Sequence, residues 1–239
     1  FSFKWFAEQE FFRRINASLL ELASVRPGQR ILELACGTGS VSRLIIERLR
    51  GARESLLIAL DASAAALRET MDQLSLVRDV ALRFVQGRAE RLSEVVSELV
   101  DRVIFCNGIH LVPDKEGLVQ EVARTLTPGG LFAFNTAFYQ GSQPPETERF
   151  YRRWMVRALR LLRERYNLLP AAERAEARRQ LTPEQYRDLL CRHGFIVLRQ
   201  EVQPAQVPLQ GWLDISRYEE FIQGALPGVP LEKGREALQ

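Results

Sequence analysis

The chain of 239 residues has little lysine and no long apolar run. Lysine occurs only at Lys4, Lys115 and Lys233, so arginine carries nearly all the positive charge. A net charge of +3 is too small an excess to predict binding to nucleic acid or to an anionic membrane. No apolar run reaches the roughly 18–20 residues of a membrane span, so we expect no transmembrane segment. The start of the chain also lacks the pattern of a secretory signal.

Cysteine is scarce as well. Cys36, Cys106 and Cys191 are odd in number, far apart and set among apolar residues. This pattern favours buried, reduced thiols over a disulfide framework, and we therefore expect a cytoplasmic protein. The sequence predicts no metal site, and it does not determine the oligomeric state.

Between residues 30 and 137, short aliphatic runs alternate with stretches that have helical apolar spacing. This alternation predicts an α/β fold with a parallel sheet covered by helices on both faces. The predicted strands are Arg30–Ala35, Ser55–Leu60, Ala81–Gln86, Asp101–Cys106 and Leu131–Ala137. The predicted helices between them are Ser40–Arg50, Ser63–Leu74, Arg88–Leu99 and Lys115–Leu126.

The flanking segments carry further elements. An amphipathic helix precedes the first strand, and the linker Gln140–Pro145 leads into a helix with an aromatic stripe. Two strand-like runs, Phe195–Gln203 and Gln206–Ile215, close the chain. We expect a single domain over 1–239, with an N-terminal helical cap (1–29), a cofactor-binding core (30–139), a helical insertion (140–181) and a C-terminal helix with a strand pair (182–239).

The segment Ile31–Ser40 reads as a hydrophobic strand, a glycine-containing turn and the start of a helix. Such a turn lets the backbone approach a ligand closely. A dinucleotide fingerprint would need a third glycine where this chain has Ser42, and a pyrophosphate would be repelled by the nearby Glu33. A cofactor that carries an ammonium and a sulfonium would instead be stabilised by the acid.

This segment resembles the first motif of class I, S-adenosylmethionine-dependent methyltransferases, with Ala35 where many members have the first glycine. The resemblance implies a Rossmann-like, seven-stranded sheet of five parallel strands plus a C-terminal antiparallel pair. It also implies that the cofactor is S-adenosyl-L-methionine. The residues predicted to bind it are Glu33, Ala35, Cys36, Gly37, Thr38, Gly39, Asp61, Ala62, Arg88, Ala89, Asn107 and Gly108.

Asp61 ends the second strand at the interval where nucleotide-binding folds place an acid for the ribose hydroxyls. The alternative is a helix cap, but Ser63 is well placed for that role. After the third strand, Arg88 stands where the family usually has an acid that holds the adenine. The backbone of Ala89 is then the expected adenine contact, because an arginine side chain offers donors only.

The fourth strand leads into Asn107-Gly108-Ile109-His110, which resembles the family's fourth motif. His110 is the candidate catalytic base, and a histidine that packs its ring under the turn is the alternative. The turn lacks the Asn/Asp-Pro-Pro-aromatic sequence of exocyclic-amine methyltransferases, which argues against nucleic-acid bases as acceptors.

We expect the acceptor to be a small-molecule or lipid-like compound, and segment 142–183 to be a helical lid over it. The alternative is that the aromatic stripe of this segment only packs on the domain. The predicted acceptor-binding residues are Trp5, Phe6, Phe138, Tyr151, Trp154 and Met155. Two other functions remain open at this point: an NAD(P)-dependent oxidoreductase, and a non-catalytic protein that binds S-adenosylmethionine.

Overall fold

A computed structural model describes residues 3–171 and 180–239. Five strands form one parallel sheet in the order β3-β2-β1-β4-β5. Their bounds are β1 (Arg30–Leu34), β2 (Leu56–Asp61), β3 (Ala81–Gln86), β4 (Val100–Cys106) and β5 (Leu126–Asn135). The predicted Rossmann-like α/β architecture is therefore confirmed for the parallel part of the sheet.

Ten α-helices are described around this sheet, in the following chain order. They are α1 (Lys4–Ala7), α2 (Glu10–Leu22), α3 (Ser40–Leu49), α4 (Ala64–Gln73), α5 (Lys115–Thr125), α6 (Pro145–Tyr166), α7 (Pro183–Arg192), α8 (Leu209–Ile215), α9 (Glu219–Ala225) and α10 (Leu231–Leu238). Short 3-10 turns span Ala89–Glu94 and Ile109–Leu111.

Alternation along the strands divides the core into two layers, because successive strand side chains point to opposite faces. Ile31 packs with α2 and α3 on one face, whereas Leu32 and Leu34 pack with α5 and α7 on the other. All three side chains are fully buried. A strand that is buried on both faces reads as a continuous apolar run, which is why β1 was predictable.

The predicted C-terminal strand pair is wrong: within the described ranges the sheet has five strands and no antiparallel pair. Pro204 and Pro208 interrupt the segment, and proline cannot donate to a strand ladder. The second run instead forms α8, whose buried Gly211, Asp214 and Ile215 have helical spacing. In the first run, Ile196 is 84% exposed and Leu198 is 74% exposed. Strand β5 pairs with β4 alone in this part of the molecule.

The predicted helix Arg88–Leu99 is also wrong as a continuous helix. The backbone forms a kinked 3-10 segment over Ala89–Glu94, with Arg91 in a non-helical conformation. Leu92 and Val96 are nevertheless buried, so the apolar spacing identified the inward side chains correctly.

Helix α6 packs its aromatic stripe against the C-terminal helices. Ala158 and Leu162 are fully buried in a cluster with residues of α9 and α10, and Met155 lies at its margin. The indole N–H of Trp154 donates to the Leu238 carbonyl at 2.8 Å. The stripe is thus covered by protein, as the packing alternative expected, while the lid stays a prediction. Residues 172–179 of the proposed lid lie outside the described residues.

Among the described residues, no helix is both long enough and apolar enough to span a membrane.

We expect amide hydrogens on the packed face of α6, around Ala158 and Leu162, to exchange slowly in the free protein, because this face is fully buried. Hydrogen–deuterium exchange followed by mass spectrometry measures this. Rapid exchange in the free protein that slows when cofactor product and an acceptor analogue are added would identify a mobile lid instead.

Candidate cofactor and acceptor site

The site lies at the carboxyl edge of the sheet, where the strand order reverses. Strand β1 pairs in parallel with β2 on one side and with β4 on the other. The chain leaves β1 and β4 in opposite directions at this point, which opens a crevice above the strand ends. The predicted cofactor residues follow β1, β2, β3 and β4, so they meet at this edge.

The loop after β1 is built from residues in left-handed backbone conformation. Ala35, Gly37 and Gly39 have φ values of 52°, 58° and 82°. Glycine adopts this conformation without cost, whereas alanine is strained there, which explains why a glycine suits the position of Ala35. A Cβ on Gly39 would lie 3.1 Å from Thr70 Cγ2, so the loop seats directly on α4.

Asp61 holds this loop to the end of β2. Its Oδ2 accepts from the Gly37 N–H at 2.9 Å, and its Oδ1 accepts from the Ser63 N–H at 2.8 Å. The side chain of Ser63 caps α4 by accepting from Ala66 N–H. The cap role thus falls to Ser63, as expected, and Asp61 stays available at the loop.

Glu33 lies beneath the loop and is 2% exposed. The Ser42 hydroxyl donates to its Oε2 at 2.5 Å. Burial raises the pKa of Glu33 to about 8, the charge of Asp61 adds to the rise, and the bond from Ser42 opposes it. Ser42 occupies the position where a dinucleotide fingerprint would have a third glycine, and its hydroxyl supplies a bond to Glu33 that glycine could not make.

The other loop side chains are buried and unreactive. Cys36 and Thr38 are 5% and 2% exposed. Burial raises the pKa of the Cys36 thiol and of the Cys106 thiol, so neither is a nucleophile near neutral pH. Cys191 is exposed, contrary to the expectation that all three thiols are buried.

The end of β3 joins the end of β2 through two bonds. Gln86 Nε2 donates to the Ala62 carbonyl at 3.3 Å, and the Gly87 N–H donates to the Asp61 carbonyl at 3.0 Å. The exposed Arg88 pairs with Glu90 at 3.1 Å, whereas Ala89 is buried at the start of the 3-10 turn. Ala89 thus follows the β3 end directly, and the guanidinium of Arg88 already has an acidic partner.

Two elements outside the core cover the Asp61 side of the edge. Lys4 of α1 bonds to Glu69 of α4 at 2.8 Å. Tyr218, between α8 and α9, stacks near Phe3 with ring centroids 4.9 Å apart. Burial raises the pKa of Tyr218, and the nearby charge of Asp61 contributes to the rise. The sequence carried no motif that identified Tyr218.

The turn after β4 is held to the end of β5. Asn107 has a left-handed φ of 49°, and its N–H lies within bonding distance of the Asn135 carbonyl (3.1 Å) and of Asn135 Oδ1 (2.8 Å). Its own Oδ1 accepts from the Ala137 N–H at 3.0 Å. A Cβ on Gly108 would lie 2.2 Å from the Phe105 ring, so only glycine fits there.

His110 is half-buried in the same turn. Its Nδ1 lies 3.1 Å from the Thr136 hydroxyl, and its ring stacks on Phe138 at 4.5 Å between centroids. Burial lowers the pKa of His110 to about 4, and the charge of Lys115 contributes. The imidazole is therefore neutral near pH 7, and it joins the ends of β4 and β5.

The predicted acceptor residues fall into separate groups. Phe138 lies beside His110, whereas Tyr151 and Trp154 cluster with Trp212, at centroid distances of 6.4 Å and 5.7 Å from it. The α1 side chains behave differently. Phe6 is buried in the core, and Trp5 lines an open cavity of about 440 Å³ beside α8. Met155 packs against the C-terminal helices.

The described residues contain no group of three or more acidic, histidine or cysteine side chains arranged to bind a metal.

We expect NMR titration of the His110 imidazole to give a midpoint near pH 4, well below its ordinary 6.5, because burial disfavours the charged ring. The folded-state pKa is lowered, so this contribution to stability is complete above pH 6.5 and is lost as the pH falls toward 4. The chain has one other histidine, His193, so a His110→Gln variant assigns the signals. A midpoint at or above 6.5 would contradict the burial of His110.

Comparison with known proteins agrees with this geometry. Residues 31–130 match the methyltransferase domain family. The C-methyltransferase UbiE of ubiquinone and menaquinone biosynthesis from Legionella pneumophila is 32% identical over 135 residues, which cover 52% of this chain and 50% of that protein. The protein of the same name from Stenotrophomonas maltophilia is 37% identical over 111 residues, covering 45% and 42%. The matches thus span about half the length of these curated relatives.

Solved structures support the fold over a larger share of the chain. The YcgJ protein from Bacillus subtilis has a TM-score of 0.57 at 18% identity, covering 94% of this chain and 82% of that one. The cyclopropane synthase MmaA2 from Mycobacterium tuberculosis has a TM-score of 0.55 at 16% identity, covering 79% and 62%. Residues 31–130 are therefore similar to a methyltransferase domain, and over most of its length the chain shares the fold of these solved structures.

Proposed function

We propose that this chain transfers a methyl group from S-adenosylmethionine to a small-molecule or lipid-like acceptor. The observation that carries the proposal is the left-handed loop after β1, held to Asp61 and lying over the buried Glu33 at the sheet's switch point. A cation bound here favours the ionised form of Glu33 and is stabilised by both carboxylates, whereas a pyrophosphate would be repelled by Asp61 and would keep Glu33 neutral. This geometry does not favour the NAD(P)-dependent alternative.

The residues at this edge fit the cofactor. Each Asp61 oxygen accepts one backbone N–H and retains a lone pair for a ribose hydroxyl. The backbone of the loop from Ala35 to Gly39 would hold the methionine portion, and Ala62 and Ala89 would hold the adenine. When bound, the cofactor supplies a methyl group on an activated sulfonium. We propose that Glu33 stabilises the cofactor's positive charge from beneath the loop without a direct contact, because its carboxyl group is held there by the bond from Ser42.

Catalysis at this site is mainly positioning. The backbone at Asn107 and Gly108 would face the methyl donor, and the residues after Gly108 and the end of β5 would hold the acceptor; positioning of this kind supplies most of the rate of a displacement reaction. His110 accepts a proton where the acceptor carries one, because its imidazole is neutral near pH 7. A ring whose pKa is near 4 is a weak base, so its role is limited to acceptors that lose a proton readily.

The acceptor side is apolar. Phe138 covers His110, and the rings of Tyr151, Trp154 and Trp212 form a separate aromatic wall between α6 and α8. We propose that this wall faces the apolar body of the acceptor. Carbon is the acceptor atom to test first, because the curated relatives are named as C-methyltransferases.

We expect the affinity for S-adenosylmethionine to rise with pH through about 8, where the Glu33 carboxyl group ionises in the free protein. A nearby cation favours the carboxylate, so binding lowers its pKa and releases a proton at lower pH. Calorimetry across pH measures the effect. A Glu33→Gln variant retains only the titration of the cofactor's own ammonium, so identical pH profiles for the two proteins would contradict the linkage.

We expect Asp61→Ala to weaken S-adenosylmethionine binding by about 1.5–3 kcal/mol, or roughly ten- to a hundred-and-fifty-fold, because the ribose hydroxyls lose a charged acceptor. Asp72→Ala, an exposed change on the neighbouring α4, is the matched control. Unchanged affinity in Asp61→Ala would overturn the ribose assignment.

Transfer of a labelled methyl group tests the activity itself. The parent protein is incubated with methyl-labelled S-adenosylmethionine and a set of apolar phenols and quinols, and S-adenosylhomocysteine is measured. Cofactor binding without any product on this set would favour the non-catalytic alternative. Tight binding of NADH, with none of S-adenosylmethionine, would overturn the cofactor.

A further inference from the structure

Three of the chain's four asparagines form one hydrogen-bonded series at the carboxyl edge of the sheet. The Ala137 N–H donates to Asn107 Oδ1 at 3.0 Å, and the Asn107 N–H donates to Asn135 Oδ1 at 2.8 Å. Asn135 Nδ2 then donates to Asn16 Oδ1 on α2, also at 2.8 Å. The series thus connects the ends of β4 and β5 to the N-terminal helix.

The direction of this series is determined by the backbone. An N–H can only donate, so the side-chain atom of Asn135 that faces the Asn107 N–H must be the oxygen. The amide nitrogen of Asn135 therefore faces Asn16, and the atom of Asn16 that receives it must be its oxygen. The remaining Asn16 atom is then the nitrogen of the NH₂ group. The O and N atoms of an asparagine side chain are distinguished by their hydrogen bonds, and here the bonds leave one choice.

This NH₂ group is the unpaired end of the series. Asn16 is 1% exposed, and its Nδ2 has no hydrogen-bond partner in the described part of the chain. Buried polar groups are nearly always paired in native proteins, so an orphaned donor at a binding edge indicates a missing acceptor atom. The Asn107 N–H thus orients two side-chain amides in turn, that of Asn135 and that of Asn16.

The position of the series assigns it to the acceptor side. Asn135 ends β5 and Asn107 follows β4, whereas Asp61 and the glycine-containing loop lie on β1 and β2, on the other side of the switch point. The predicted ribose and adenine contacts fall on that other side, and only the backbone at Asn107 and Gly108 is predicted to reach the cofactor from this side. The end of β5 is where the methyl acceptor is expected in the proposed function.

We propose that Asn16 Nδ2 donates a hydrogen bond to an oxygen atom of the methyl acceptor, which makes Asn16 a specificity-determining residue for acceptors with a carbonyl or hydroxyl oxygen. The proposal rests on the proposed methyl transfer. It names the substrate class by its chemistry: an apolar body, matched to the aromatic wall, with an oxygen close to the methylated atom. A purely hydrocarbon acceptor leaves the Asn16 donor unpaired and is rejected.

The test uses two bicyclic probes, 1-tetralone and tetralin, which share a carbon skeleton and differ in one carbonyl oxygen. The full chain is labelled with ¹⁵N-asparagine and saturated with S-adenosylhomocysteine, so that only four side-chain NH₂ groups give signals. We expect the Asn16 signals to shift with 1-tetralone and to stay unchanged with tetralin. Asn167, the C-cap of α6, supplies the reference signal that neither probe moves.

Two variants separate the donor from its burial. In Asn16→Asp the oxygen that accepts from Asn135 is kept, and at a pH high enough to ionise the new carboxyl group its free end is an acceptor that repels a carbonyl; we expect at least tenfold weaker binding of 1-tetralone under that condition. Asn16→Leu has a similar shape and no polar end, so it should bind both probes equally. Asn167→Asp is the matched control for the change of amide to acid.

Several results would overturn the proposal. One is equal affinity of the parent for the two probes, including no binding of either. Another is a change in the Asn16 chemical shifts that is complete when S-adenosylhomocysteine alone is added, because the amide would then be bonded to the cofactor and not to the acceptor. A third is unchanged 1-tetralone binding in Asn16→Leu. Failure of the protein to bind S-adenosylmethionine would instead contradict the proposed function, so the two failures are distinguishable.

Discussion

The parallel pairing of β1 with both β2 and β4 is the constraint on which the site depends. It aligns three strand ends at one level, so that the loops after them approach each other across a few ångströms. The turns must then be tight, and Ala35 and Asn107 adopt left-handed backbone conformations to leave their strands sharply. Asp61 bonds to the first of these turns and Asn135 bonds to the second, so each turn is held by a neighbouring strand end.

The acids of the site illustrate how burial sets chemistry. Glu33 and Asp61 both carry a carboxyl group, but Glu33 is enclosed beneath the loop, whereas Asp61 reaches the edge of the sheet. Removing a carboxylate from water favours its neutral form, and a second negative charge nearby adds to that preference. Ser42 opposes the effect by donating to the carboxyl group. A glycine at this position would leave the buried acid without that bond.

The sequence predicted what depends on short spans of chain. The five parallel strands, the loop after β1, the Ser63 cap and the position of Asp61 follow from apolar runs, turn residues and spacing. The structure has them at or near the predicted bounds, except that β5 begins at Leu126 and not at Leu131. The prediction of a C-terminal strand pair was wrong because it rested on apolar alternation, whereas Pro204 and Pro208 cannot donate to a strand ladder. Asn16 and Tyr218 were missed because their roles depend on packing across more than a hundred residues, which leaves no local pattern. The roles of individual site residues remain predictions.

The open edge of the sheet has a consequence for how this protein behaves in solution. Strand β5 offers its outer backbone groups without a neighbouring strand among the described residues, and further along the chain the side chains of Ile196, Leu198 and Val202 are exposed. An unprotected strand edge is a template for pairing with another chain, and exposed aliphatic side chains strengthen such contacts. A second strand paired along this edge would therefore lie beside Asn135, which holds the turn after β4.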